Sequence, residues 1–116
     1  MLSEGQVVAF RFKQTNQTEG KLRPALVLRK LPTNFDDWLI CMISSQTQQY
    51  IPEIDEIIKP DDKDFKDTGL RTESVIRLCR LAVVESSFLL GKLGQIDKER
   101  LERLKKNLCQ WISGSE

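Results

Sequence analysis

Arg23 is the cation whose setting the sequence constrains most. It lies in Gly20-Lys21-Leu22-Arg23-Pro24, where a loop glycine delivers two cations to the start of a strand. The proline disfavours an α conformation at the residue before it and pushes Arg23 towards an extended one. Its guanidinium is then presented from a fixed backbone as a planar fork of donors suited to phosphate. A second group, Ser44-Ser45-Gln46-Thr47, follows the apolar run Trp38 to Ile43 abruptly. Hydroxyls and an amide can orient phosphate oxygens or base edges. Taken alone, each segment is read more simply, as a surface arginine beside a strand and as a solvated polar turn.

Composition narrows the chemistry further. The chain contains no histidine. That excludes a His–His acid–base pair, Ser-His-Asp and Cys-His triads, and every histidine-containing metal site. Cys41, Cys79 and Cys109 are widely spaced and form no CxxC pair, which excludes a zinc knuckle. Their apolar neighbours predict three buried, reduced thiols. The formal net charge of +1 conceals a segregation: residues 1–35 carry +4, residues 36–67 carry −6 and residues 68–116 carry +3. A near-neutral total is therefore compatible with a local basic groove.

The elements that must position these residues can be read coarsely. The 116 residues, 40% hydrophobic and 30% charged, predict one soluble globular domain spanning 1–116, with no room for a second core. No apolar run approaches the roughly 20 residues of a membrane span, so no membrane partner is expected. The N-terminus lacks a signal pattern, so a cytoplasmic location is expected. Residues 6–12 alternate and predict a half-buried strand with Val8, Phe10 and Phe12 on one face. Residues 24–31 predict a second strand, and residues 38–44, apolar on both faces, a central third. Residues 50–54 read as a short edge strand, residues 55–69 as a long acidic loop, and residues 74–85 as one bent strand or two. Residues 86–90 suggest a helical turn broken by Gly91 and Gly94. Asp97 can cap a C-terminal helix whose Leu101, Leu104, Leu108 and Ile112 form one apolar stripe. Five strands and a helix suggest a mainly β fold with a C-terminal α-helix, a small partly open antiparallel barrel.

Read together, several short motifs resemble those of one family. They are Gly5, Val7, Val8 and Phe10; the run Gly20 to Leu28; Ile43 to Gln46; Gly69, Leu70, Ser74, Val75 and Ile76; and Gly91 to Gly94 before the amphipathic helix. In this order the chain resembles the MazF/PemK family, toxins of bacterial type II toxin–antitoxin systems. The resemblance implies an SH3-like barrel of the CcdB/MazF plasmid-toxin type that forms a homodimer. It also implies metal-free cleavage of single-stranded RNA with no cofactor, and an antitoxin whose acidic tail covers the groove. On that resemblance Arg23 and Ser44 carry catalysis. Gln46 lies near the RNA path, and the loop Gln14 to Lys21 borders it. The chain departs from the family in having Ser44 for the commoner Thr and Leu78-Cys79-Arg80-Leu81-Ala82 where many members carry an acid, a Gln and an Arg.

A ribonuclease without histidine is chemically reasonable. The RNA supplies its own nucleophile when a 2′-OH attacks the adjacent phosphate. The protein must align that attack and stabilise the extra charge on the phosphorane. Arg23 suits the charge, and Ser44 would hold a non-bridging oxygen or the 2′-OH. No residue stands out as a general base. RNA contacts are expected from Lys21, Ser45, Gln46, Thr47, Ser74, Arg77 and Arg80, with Arg29 and Lys30 beside the same strands. Strand alternation turns Arg77 away from the core side of Ile76 and Leu78. Lys98, Arg100, Arg103, Lys105 and Lys106 read as a solvated helix face with Glu99–Arg103 and Glu102–Lys106 pairs. Trp38 and Trp111 read as packing residues, and Asp55 to Asp67 as a solvated acidic loop. Two other readings compete: a gyrase-poisoning toxin on the same barrel, and an inactive barrel that binds RNA or protein.

Overall fold

The computed structural model describes residues 2–12 and 21–114, with Phe12 described by its backbone alone. Residues 13–20, which hold Gly20 before the R-P motif and all but Lys21 of the loop Gln14 to Lys21, therefore lie outside the described residues. Strands β1 (Gln6–Phe12), β2 (Lys21–Lys30), β3 (Asp37–Ser44), β4 (Glu56–Ile58), β5 (Ser74–Glu85) and β6 (Gly91–Gln95) precede helix α1 (Lys98–Ser113). They form one antiparallel six-stranded sheet in the order β4-β5-β3-β2-β1-β6. Irregularities at Val7/Val8, at Val27/Arg29 and opposite Cys41/Met42 bend the strands, and a bulge adds local twist. The sheet curls into a half-barrel, as the strand pattern predicts.

Apolar side chains cover both faces. Val7, Leu26, Leu28, Cys41, Ile43, Ile76 and Leu78 point to the side covered by Leu104 and Leu108 of α1. Val8, Ala25, Val27, Trp38 and Ile40 form a second cluster on the other side. This explains why β3 is apolar on both faces. It also corrects the reading of β1 as half-buried, because Val7 and Val8 are both buried, one on each side. The Asp97 carboxylate caps α1 by accepting from the Arg100 amide at 2.8 Å, as expected. The apolar stripe outruns the core, however. Ile112 and Trp111 are exposed, so Trp111 does not pack as predicted, whereas Trp38 does.

The segment between β3 and β5 departs most from expectation. Residues 50–54 are a turn, because the buried Asp55 carboxylate accepts the Ile51 amide at 3.1 Å and the Cys79 amide at 3.3 Å. The short strand forms at Glu56–Ile58 instead. The acidic stretch is not simply solvated, and Arg100 is not on a solvated face. The Arg100 side chain is 8% exposed and meets Asp64 at 2.9 Å, Glu56 at 2.6 Å and Asp62 at 3.0 Å. Burial opposes the charge of Asp64, but its hydrogen bonds to Arg100 prevail and hold its carboxyl below the ordinary range. Asp62 is lowered by the Lys59 amide and by Arg100. Arg103 reaches Glu56 rather than Glu99, which pairs with Lys63.

Strand β6 was hidden by its glycines. A Cβ on Gly94 would fall 2.1 Å from the Asp67 carbonyl oxygen, and one on Gly69 would fall 2.3 Å from that of Leu93. Gly69 also has a φ of 76°, which favours glycine. Two backbones thus meet where the motif places glycine. The thiols divide as well: Cys41 is buried, and burial raises its pKa, whereas Cys79 and Cys109 are exposed.

Candidate functional site

Strand register decides which of the candidate residues meet. Val8 of β1 opposes Ala25 of β2, Ala25 opposes Met42 of β3, and Met42 opposes Arg77 of β5. One row along, Phe10 opposes Arg23 and Ser44 opposes Val75. Continuing the β2–β3 register two residues past Ala25–Met42 sets Arg23 across from Ser44. All three side chains share the face opposite α1, because Arg23 lies two residues from Ala25, Ser44 two from Met42, and Arg77 directly across from Met42. Arg23 and Arg77 therefore flank Ser44 from its two neighbouring strands. Adjacent residues in such a sheet lie roughly 5 Å apart and diagonal ones about 7–8 Å.

Ser44 closes β3 and is 2% exposed. Its Oγ accepts the Gln46 amide at 3.1 Å, which turns the chain sharply out of the strand. Ser45 and Gln46 are exposed at that turn. The 3-10 turn Thr47–Gln49 follows. Its Gln49 Oε1 accepts from Arg77 Nη1 at 3.3 Å, a partner that sequence reading missed. Arg77 Nη2 lies 3.7 Å from Cys79 Sγ. Its Nε is buried and has no acceptor among the described residues.

The other candidates scatter. Lys21 is exposed at the start of β2, opposite Phe12. Arg80 is exposed in the bulge of β5 where residues 78–80 have no partner on β3. Ser74 is not part of this face. It alternates with Ile76 on the α1 side, is buried, and donates to the Thr72 carbonyl at 2.9 Å. Arg29 and Lys30 line a separate shallow hollow of about 510 Å³ with Leu31, Pro32 and Leu39. Among the described residues no cluster of His, Cys, Asp and Glu is arranged to hold a metal ion. No helix there is long and apolar enough to cross a membrane.

The arrangement offers two guanidinium groups beside a hydroxyl and an amide-rich turn, on a sheet face without the helix. The sequence profile of the PemK-like, MazF-like toxins of type II toxin–antitoxin systems matches residues 3–112. The chain belongs to this family. The match spans all six strands and nearly all of α1. No curated protein matches the chain. Membership makes the protein a toxin with an antitoxin partner.

Proposed function

We propose that the toxin is an endoribonuclease that cleaves single-stranded RNA through attack of the 2′-OH on the adjacent phosphate, without a metal. The observation that supports this reading most is the placement of Arg23 and Arg77 on either side of Ser44 on one sheet face. Two guanidiniums can share the charge that builds on a phosphorane, which is the larger task when the substrate carries its own nucleophile. Arg23 is half-buried on a strand start that proline keeps extended, so its donors are oriented before RNA arrives.

Ser44 acts in this conformation through the turn it holds. Its Oγ receives the Gln46 amide and so sets the exposed Ser45 and Gln46 at the edge of the site. Lys21, Thr47 and Arg80 extend the RNA path as phosphate or base contacts. The antitoxin would cover this face with an acidic segment, since it opposes cations. The toxin would act as a homodimer in the cytoplasm.

The test is incubation of the purified toxin with mixed-sequence RNA in EDTA, with Arg23→Ala alongside and the ends mapped. The expected result is 2′,3′-cyclic phosphate ends from the parent that disappear in Arg23→Ala. RNA bound but never cut across diverse sequences, with antitoxin removed, would replace this reading with that of a binding module. Inhibition of gyrase supercoiling would replace it with that of a gyrase poison.

A further inference from the structure

The connection from β3 to β4 passes Arg77 and closes on one buried carboxylate. Arg77 is the residue of β5 just before the bulge at 78–80, and it pairs with Met42 of β3. On the other side, β4 pairs with β5 only as far as Glu56–Ile76. The residue before Glu56 is Asp55, which would face Arg77 if the ladder ran on. Asp55 instead turns its carboxylate to the bulge. Its Oδ1 accepts the Cys79 amide at 3.3 Å and its Oδ2 accepts the Ile51 amide at 3.1 Å. The Cys79 thiol lies 3.6 Å from the same Oδ2 as a donor, and it accepts from Arg77 Nη2 at 3.7 Å. Arg77 Nη1 donates to Gln49 Oε1 at 3.3 Å, and Gln49 stands two residues before Ile51. Asp55 thus anchors both supports of the guanidinium: Cys79 at one nitrogen and, through Ile51, Gln49 at the other.

We propose that Asp55 is a positioning residue for Arg77, fixing the pose in which that guanidinium meets a phosphate. The use of the pose rests on the RNA-cleavage reading above; the pose itself does not. A free arginine side chain loses rotamer entropy when it captures an anion, whereas an oriented one has lost it on folding. Proline constrains Arg23 through the backbone. Arg77 precedes a bulge rather than a proline, so its orientation comes from contacts. A carboxylate suits the anchor because it has two oxygens and no donor, and two backbone amides converge on it. An asparagine of the same shape keeps one oxygen and turns an NH2 group against the second amide. One support is then lost while the volume is kept. Asp55 is buried and Cys79 is exposed, so the carboxylate acts through its partners and not on RNA.

The test joins a spectroscopic readout to a kinetic one on the full chain. The Nε–H signal of Arg77 is assigned by its loss in Arg77→Ala, and its heteronuclear NOE is compared between the parent and Asp55→Asn. The expected result is an ordered side chain in the parent and an averaged one in the variant. Single-turnover cleavage of mixed-sequence RNA, below the melting temperature of every variant, should fall about tenfold in Asp55→Asn. In an Arg77→Ala background the same substitution should leave the rate unchanged, because no guanidinium remains to be positioned. Gly94→Ala, on β6 at the far edge of the sheet, controls for lost stability and should keep the parent's rate. If Asp55→Asn does not fold, Cys79→Ala takes its place, since it removes the thiol between Asp55 and Arg77 at an exposed position. An Arg77 signal averaged in the parent or equally ordered in the variant would overturn the proposal. So would a loss of rate that persists in the Arg77→Ala background, or one that follows melting temperature through Gly94→Ala. A parent that cuts no RNA would overturn the cleavage reading instead, and the Arg77 signal would still decide the positioning.

Discussion

Arg23 and Arg77 differ in what holds them. Arg77 is tied to Gln49 and touches Cys79, whereas Arg23 is constrained through its backbone. Arg23→Ala is expected to lower the cleavage rate by on the order of 10²–10³ with little change in melting temperature. Arg23→Lys should restore only part, because an ammonium lacks the planar fork. Single-turnover kinetics would check both. Gln49→Ala releases Arg77 and should weaken RNA binding without altering the Arg23 effect. Asp36 is a structural counterpart on the β2–β3 turn. Hydrogen bonds from Ser86, Trp38 and Lys30 lower its pKa to about 2. The native state thus favours the ionised form, and that stability is present above the ordinary 3.8 and lost as pH falls towards 2. A carboxyl NMR titration should show this, and Ser86→Ala should move the midpoint up.

At the scale of elements, the link from α1 to the β3–β5 connection rests on Arg100. Removing it leaves Glu56, Asp62 and Asp64 without their shared cation in a largely buried setting. Arg100→Ala is expected to cost about 3–5 kcal/mol, measurable by urea unfolding. The acid limb should change too. Asp62 and Asp64 are held below their ordinary pKa, so their contribution is present above the carboxylate range and is lost as pH falls through their native values. The parent should lose stability on acidification, and Arg100→Ala should lose less. Gly94→Ala must push Asp67 off β6, and an overpacking cost of about 1–3 kcal/mol is expected in the same unfolding assay.

For the whole molecule, charge is segregated by fold as well as by sequence. Three acids of residues 36–67, Glu56, Asp62 and Asp64, are gathered under α1 by Arg100 and Arg103. The opposite face keeps Arg23 and Arg77. RNA affinity should therefore fall steeply with salt, despite a net charge of only +1. A titration by fluorescence anisotropy across salt concentrations checks this, and a flat response would count against phosphate contacts. Single-stranded DNA of the same sequence should bind and remain intact, because it lacks the 2′-OH.

The sequence by itself determined the helix and its Asp97 cap, the strands β1, β2, β3 and β5, and the outward turn of Arg77. Each follows from local periodicity or from a side chain acting within a few residues. Strand β6 was illegible, since Gly91 and Gly94 read as breakers until the backbone of residues 67–68 packs against them. Arg100 read as solvated because its partners lie 36 to 44 positions away in the chain. Arg23, Ser44 and Arg77 are likewise far apart in the chain, and only register brings them onto one face. Ser74 was read into the site from its motif, and a one-residue alternation sends it to the other side. Tertiary structure decided these points because pairing between strands, not order along the chain, sets which side chains share a surface.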